Sequence, residues 1–402
     1  MEDKDRRSRL MVEFSQILTK LISMKGDEPM LKKVKCAAAP LVLFALIACS
    51  CMGDPRSATA AGGTVMPAAN MITARAGHTA TLLKDGNVLI AGGMNGNGRY
   101  FDTVESYSPA TDTFSSVQSM GFKRVGHTAT LLPDGKVLIA GGYNGDYLAS
   151  AEIYDPATGG FAPTANMTTP RNGHVGVVLD DGKILLAGGT GKGWTFLASA
   201  ELYDPSTKAF TRTGNMTAPR VSHTATLLKS GKVLITGGDK DRREAMTVYS
   251  SAEVYDPAEG AFSGTGEMAT VRHKHAASLL PDGNVLIVGG SDKRDWQGRY
   301  ASAEVYDSVK GEFKGIGDMN MARFKLSDAV VTLRNGKVLI AGGAERLELY
   351  DPATKTFNLV EGPIDTARSF SSATLLQDGR VLITGGYDNK IESGVKTWLY
   401  KP

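Results

Sequence analysis

At 402 residues, with 45 Lys and Arg against 42 Asp and Glu, the chain lies too near neutrality for general nucleic-acid binding. Without residues 1–48, which hold nine of the basic and six of the acidic groups, the balance is 36 against 36. All three cysteines, Cys36, Cys49 and Cys51, precede residue 52, which excludes disulfides and thiol chemistry from the remainder.

The N-terminal stretch reads as a targeting segment. Lys32, Lys33 and Lys35 precede the apolar run from Ala37 to Ala48, too short to span about 30 Å of hydrocarbon and shaped like a secretory signal. Leu46-Ile47-Ala48-Cys49 resembles the bacterial lipobox, in which the cysteine becomes the acylated first residue. The reading is therefore an extension at 1–29 upstream of the true start, a signal peptide at 30–48, lipid attachment at Cys49 and a flexible tether at 49–63, rich in small residues. Such a protein is secreted across the inner membrane and held in the bacterial envelope by its lipid alone.

Residues 64–402 form one expected domain, and it is a repeat. The string HTATLLKDGNVLIAGG, His78 to Gly93, returns in close copies whose glycine pairs stand at Gly92, Gly141, Gly188, Gly237, Gly289, Gly342 and Gly385, at spacings of 49, 47, 49, 52, 53 and 43 residues. Periods of this length mark propeller blades or solenoid coils. Apolar runs on either side of Asp85-Gly86 predict a hairpin, strands A and B. A variable loop follows, then strand C in AEIYDP (Ala151 to Pro156), AELYDP (Ala200 to Pro205) and AEVYDP (Ala252 to Pro257), and strand D opened by a phenylalanine such as Phe114 or Phe161.

This pattern resembles kelch repeats: a hydrophobic strand ending in Gly-Gly, a tyrosine after a variable loop, an aromatic about seven residues on. Phenylalanine replaces the usual strand-D tryptophan, as in some bacterial and galactose-oxidase-like propellers. The resemblance implies an all-β, seven-bladed propeller of four-stranded antiparallel blades. The seventh copy stops at Tyr400-Lys401-Pro402, and Met66 to Arg75 matches Ala162 to Arg171 in register, so an N-terminal strand is expected to close the last blade.

Arginine recurs in every repeat (Arg75, Arg124, Arg171, Arg220, Arg272, Arg323, Arg368) and glutamate in six strands C (Glu105, Glu152, Glu201, Glu253, Glu304, Glu348). Ion pairs between them are expected. His78, His127, His174, His223 and His275 share one position and are read as blade parts, with no metal, no cofactor and no catalytic residue assigned.

Function is expected where the repeat fails, on the face carrying the B-to-C loops. The short loop Ala344 to Leu347 beside the long one from Ser291 to Ser302 predicts a notch lined by Trp296, Arg299, Arg323, Lys325, Arg346, Arg368 and Trp398, suited to an acidic glycan or a protein partner. Galactose-oxidase-like enzymes use copper with a Tyr–Cys crosslink, which residues 52–402 cannot form. The expectation is a monomeric envelope-anchored binding module for protein or glycan. The alternative is a carbohydrate-acting enzyme such as a sugar mutarotase or epimerase.

Overall fold

Alternating small and apolar residues, a Gly turn and an apolar run stopped by two glycines demand a hairpin whose second strand is buried, and the computed structural model has one in each repeat. It describes residues 61–402 except 327, 363, 365 and 366. The extension, the signal peptide and Cys49 lie outside the described residues.

In the first unit strands A to D are Thr79–Leu82, Val88–Ala91, Val104–Ser108 and Thr113–Val117, hydrogen-bonded in that order as an antiparallel sheet. Four further units repeat the arrangement. Their B strands, Val137–Ala140, Ile184–Ala187, Val233–Thr236 and Val285–Val288, are buried along their whole length, because neighbouring sheets cover both faces. Such strands read as continuous apolar runs instead of alternating ones.

Strand C places its tyrosine directly opposite the strand-D phenylalanine: Tyr107 faces Phe114 and Tyr203 faces Phe210, with ring centroids 4.8 and 4.7 Å apart. Cross-strand aromatic pairs of this kind stabilise a sheet by up to about 1 kcal/mol each. Three of the tyrosine hydroxyls, those of Tyr203, Tyr255 and Tyr306, meet a threonine of the preceding unit, as where Thr213 Oγ1 lies 2.8 Å from Tyr255 Oη, while Tyr107 donates to Asp112 of its own unit.

The expectation of seven separate blades is corrected. Five units are separate four-stranded sheets, two of their loops carry two-stranded ribbons (Thr190–Gly191 with Thr195–Phe196, and Asp239–Lys240 with Thr247–Val248), and the remaining described strands form one eight-stranded sheet. Its order is Val330–Thr332, Val338–Ile340, Glu348–Asp351, Thr356–Glu361, Ala61–Pro67, Thr397–Lys401, Val381–Thr384 and Ser372–Leu375. The N-terminal strand pairs antiparallel with Thr397–Lys401, Val65 opposite Tyr400, and parallel with Thr356–Glu361 on its other side. The physical reason is the sheet edge: both outer strands would otherwise leave backbone N–H and C=O groups unpaired, and pairing them with each other satisfies both. The two end strands of this sheet adjoin in space, so it is nearly closed.

The A strands neighbour one another in a closed cycle, from Thr79–Leu82 round to Ser372–Leu375 and back. Packing closes at the same place: Val88, Ile90 and Tyr107 of the first unit share one buried cluster with Leu376, Leu382 and Leu399. Each such side chain contributes about 1.5–3 kcal/mol on burial.

Candidate functional site

The recurring polar residues build the frame before they build any site. Each of the six expected ion pairs is present and buried, from Arg75–Glu105 at 2.7 Å to Arg272–Glu304 at 3.0 Å. The arginine also donates to the carbonyl of its own first glycine, Arg171 Nη1 to Gly188 O at 2.9 Å. The glutamate accepts backbone N–H groups from the turn before the arginine, Thr168 and Thr169 on Glu201. The arginine carbonyl then accepts the second glycine N–H of the preceding unit, from Gly93 on Arg124 to Gly386 on Arg75, which completes the ring.

The five histidines reach toward the neighbouring unit. Nε2 of His127 lies 3.1 Å from Thr79 Oγ1 and that of His78 lies 2.8 Å from Thr384 Oγ1, and the rings lean on the glycine pairs of the unit before. Burial pushes the His78, His127 and His223 imidazoles down to about 3, so they are neutral blade parts.

What distinguishes one unit from another is the residue between arginine and histidine. Gly77, Gly126, Gly173, Ser222, Lys274, Lys325 and Phe370 all have φ between +53° and +65° and lie where strands A begin. Backbone bonds link them: Gly77 N–H to Phe370 O, Phe370 to Lys325, Lys325 to Lys274, Lys274 to Ser222, and Gly173 to Gly126. The result is an annulus at the mouth of the ring of A strands. In three units the residue is glycine, for which this conformation is free; in the others a side chain is carried at a cost of about 1–2 kcal/mol. Non-glycine residues held in this region cluster at functional sites.

The two lysines of the annulus meet groups from other units. Lys325 Nζ donates to Tyr387 Oη at 2.7 Å and lies 4.6, 5.5 and 5.2 Å from the ring centroids of Phe324, Phe370 and Tyr387. Lys274 Nζ donates to Asp295 Oδ1 at 2.7 Å. Behind them the buried His273 donates from Nδ1 to Asp239 Oδ1 at 2.9 Å, and its Nε2 faces Asp295 Oδ1 at 3.5 Å. Burial lowers the Lys325 ammonium pKa, with the Asp295 charge opposing, and raises that of the Tyr387 phenol. Burial also works to raise Asp295, but Lys274, His273 and Lys325 together outweigh it and hold the carboxyl below its ordinary range.

The structure brings together part of the set expected from sequence. Trp296 is 40% exposed, carries Arg299 over its ring at 4.2 Å and meets Phe324 edge-on at 5.5 Å, beside Lys325. Arg323 is fully buried on Glu348, and Trp398 is buried within the eight-stranded sheet. Arg346 donates to Val360 O at 2.8 Å while its own carbonyl accepts from Arg323. Arg368 is buried with its guanidinium 5.7 Å from the Trp398 ring. Of these four, Arg323, Arg368 and Trp398 are buried and Arg346 is half-buried.

The loop aromatics divide likewise. Phe101, Tyr249 and Tyr300 fold back over the buried guanidinium groups of Arg75, Arg220 and Arg272. Tyr100, Tyr143, Tyr147 and Trp194 instead form an edge-to-face chain across three loops, ended by Arg242 over Trp194 at 3.8 Å.

Sequence reasoning missed Lys274, Asp295, His273, Asp239 and Tyr387. One signal was available: the glycine before histidine in three repeats becomes Ser222, Lys274, Lys325 and Phe370 in the rest.

Among known proteins, residues 60–238 match a family model described as the KLHDC2/KLHL20/DRC7 Kelch-repeats domain, in agreement with the repeat pattern. None of the curated proteins matches. A solved structure described as a novel fungal alcohol oxidase with catalytic diversity among the AA5 family, in complex with copper, is similar in fold at a TM-score of 0.68 and 18% identity, over 85% of this chain and 76% of its own. At that identity the likeness is one of fold alone.

Proposed function

We propose that this kelch-type propeller is a binding module for a carboxylate-bearing saccharide, captured at the lysine-bearing part of the annulus. The observation that carries the reading is the pair Lys274 and Lys325, two ammonium groups held on left-handed backbone, with the part-exposed Trp296 following Asp295, the partner of Lys274. Cations from a rigid frame supply charge recognition of a carboxylate, and a tryptophan face supplies apolar contact to a sugar ring. Loops on a rigid scaffold are the usual carriers of such sites.

Calorimetric titration with oligogalacturonate, against a neutral galactose oligomer of equal length, tests this. Binding of the acidic oligomer alone is expected, with loss of at least about tenfold in Lys325→Gly, a substitution the backbone accepts because φ is +60° there. Equal affinity for both oligomers, or an unaffected variant, would sink the reading.

A second reading, an enzyme acting on the bound sugar, is favoured by the 2.7 Å contact of the Lys325 amine with the Tyr387 phenol, a pair able to pass a proton. Product analysis after prolonged incubation with the same oligomer decides it. The envelope location rests on Leu46 to Cys49, and Cys49→Ser is expected to move the protein from the membrane to the soluble fraction.

A further inference from the structure

We infer that Asp295 is a resident carboxylate that occupies the anion subsite, so that an acidic ligand enters by displacing it; this rests on the reading of the annulus as an anion site. Two nitrogen groups approach this side chain, Lys274 Nζ at 2.7 Å and His273 Nε2 at 3.5 Å, and Lys325 follows Lys274 along the annulus through the Lys325 N–H to Lys274 O bond. A ligand carboxylate in its place would be met by the Lys274 ammonium, with Lys325 the next cation along the annulus.

The position of Asp295 in the chain fits a displaceable plug. It opens a single turn of 3-10 helix, Asp295–Gly298, with φ +55° at Asp295 itself. The exposed Trp296 follows immediately. The turn hangs on backbone bonds from Asp295 N–H to Asp292 O and from Asp292 N–H to Gly298 O, so it is a short loop clipped at its base. Asp239 is buried and accepts from His273 Nδ1, so its carboxylate is already engaged.

On the paired residues His273 and Ser291, both fully buried, His273 Nε2 and Ser291 Oγ are left without a hydrogen bond. Groups of this kind are rare in a packed interior and ask for an explanation. Because the His273 ring already donates from Nδ1 to Asp239, its Nε2 is an acceptor, and a ligand hydroxyl brought in beside a carboxylate would donate to it, which the aspartate oxygen at 3.5 Å cannot do.

The test is titration of oligogalacturonate at fixed ionic strength into the wild type, Asp295→Asn, Asp295→Gly and the control Asp292→Asn, with thermal unfolding run on each to verify the fold. Asp292 lies three residues away and is engaged by Arg294, so its neutralisation measures the general effect of removing one negative charge. Tightening by about tenfold or more in both Asp295 variants, with less than about twofold in Asp292→Asn, is expected. Unchanged or weakened binding in the Asp295 variants overturns the inference and leaves the anion site standing. Equal tightening in Asp292→Asn also overturns it, since charge alone then accounts for the gain. Absence of binding by every protein overturns both the inference and the reading beneath it.

Discussion

His127 Cε1 stands 2.8 Å from the place where a Cβ on Gly92 would sit, and the carbonyl of Arg124 stands 2.7 Å from it. The recurring glycine pair and the recurring histidine are therefore halves of one contact between consecutive units. The same approach is made by His174 on Gly141, His223 on Gly188, His275 on Gly237 and His78 on Gly385.

Gly92→Ala is expected to destabilise the protein by about 3 kcal/mol or more, since it combines a left-handed backbone (φ +63°) with two contacts shorter than real Cβ atoms make. Gly98→Ala, at φ +76° with open space around it, is expected to cost only about 1 kcal/mol. Urea unfolding of the two variants side by side measures the difference, and equal midpoints would refute the packing account.

Glu201→Ala leaves the buried Arg171 guanidinium without its 2.8 Å partner and the Thr168 and Thr169 N–H groups without their acceptor. Breaking a buried pair on one side costs about 3–5 kcal/mol. A clear drop in melting temperature follows, larger than for Lys183→Ala, whose exposed pair with Asp181 contributes at most about 1 kcal/mol. An unchanged melting temperature in Glu201→Ala removes the pair from the stability argument.

The buried histidines make stability depend on pH in a definite direction. Burial first, and the guanidinium of the neighbouring arginine second, hold His78, His127 and His223 at about 3 in the folded chain, while the unfolded chain takes up these protons near pH 6.5. Between those values the unfolded state binds more protons. The stabilising contribution is thus complete above about pH 6.5 and is lost as pH falls toward 3, at about 1.4 kcal/mol per pH unit for each histidine. Denaturation midpoints at pH 7.5, 6.0 and 5.0 measure it, the interval from 6.0 to 5.0 lying largely above carboxylate titration. A flat profile there contradicts the assignment.

Ser222 occupies the annulus position with φ +57°, and its carbonyl accepts the Lys274 N–H. Ser222→Gly is expected to be neutral or stabilising by up to about 1 kcal/mol, because relief of the left-handed cost offsets the entropy of glycine. Ser222→Val is expected to lose about 2 kcal/mol, a β-branched residue being strained in that region. Differential scanning calorimetry separates the two.

Much of the frame was legible in the chain itself. The period marked the strands, the matching of Met66–Arg75 with Ala162–Arg171 pointed to the N-terminal strand beside Thr397–Lys401, and the recurrence of Arg171 with Glu201 and their counterparts announced the ion pairs. These are properties of a residue and its near neighbours, repeated until they stand out. The number of separate sheets was not of that kind. It turned on whether two edge strands, Ala61–Pro67 and Thr356–Glu361, found each other's backbone groups, and no side-chain pattern records that.

The site divides along the same line. Trp296, Arg299 and Lys325 were marked by departures from the repeat, but Arg323 and Trp398 departed or recurred for reasons of packing and are buried. Lys325 touches Tyr387, 62 positions later, and Lys274 meets Asp295 from a different loop. Sequence alone determined which residues every unit needs, because each must bury the same faces against its neighbours. Only the closed ring decided which of the exceptional residues stand together, because closure brings the starts of all the A strands to one annulus and leaves everything else at the rim.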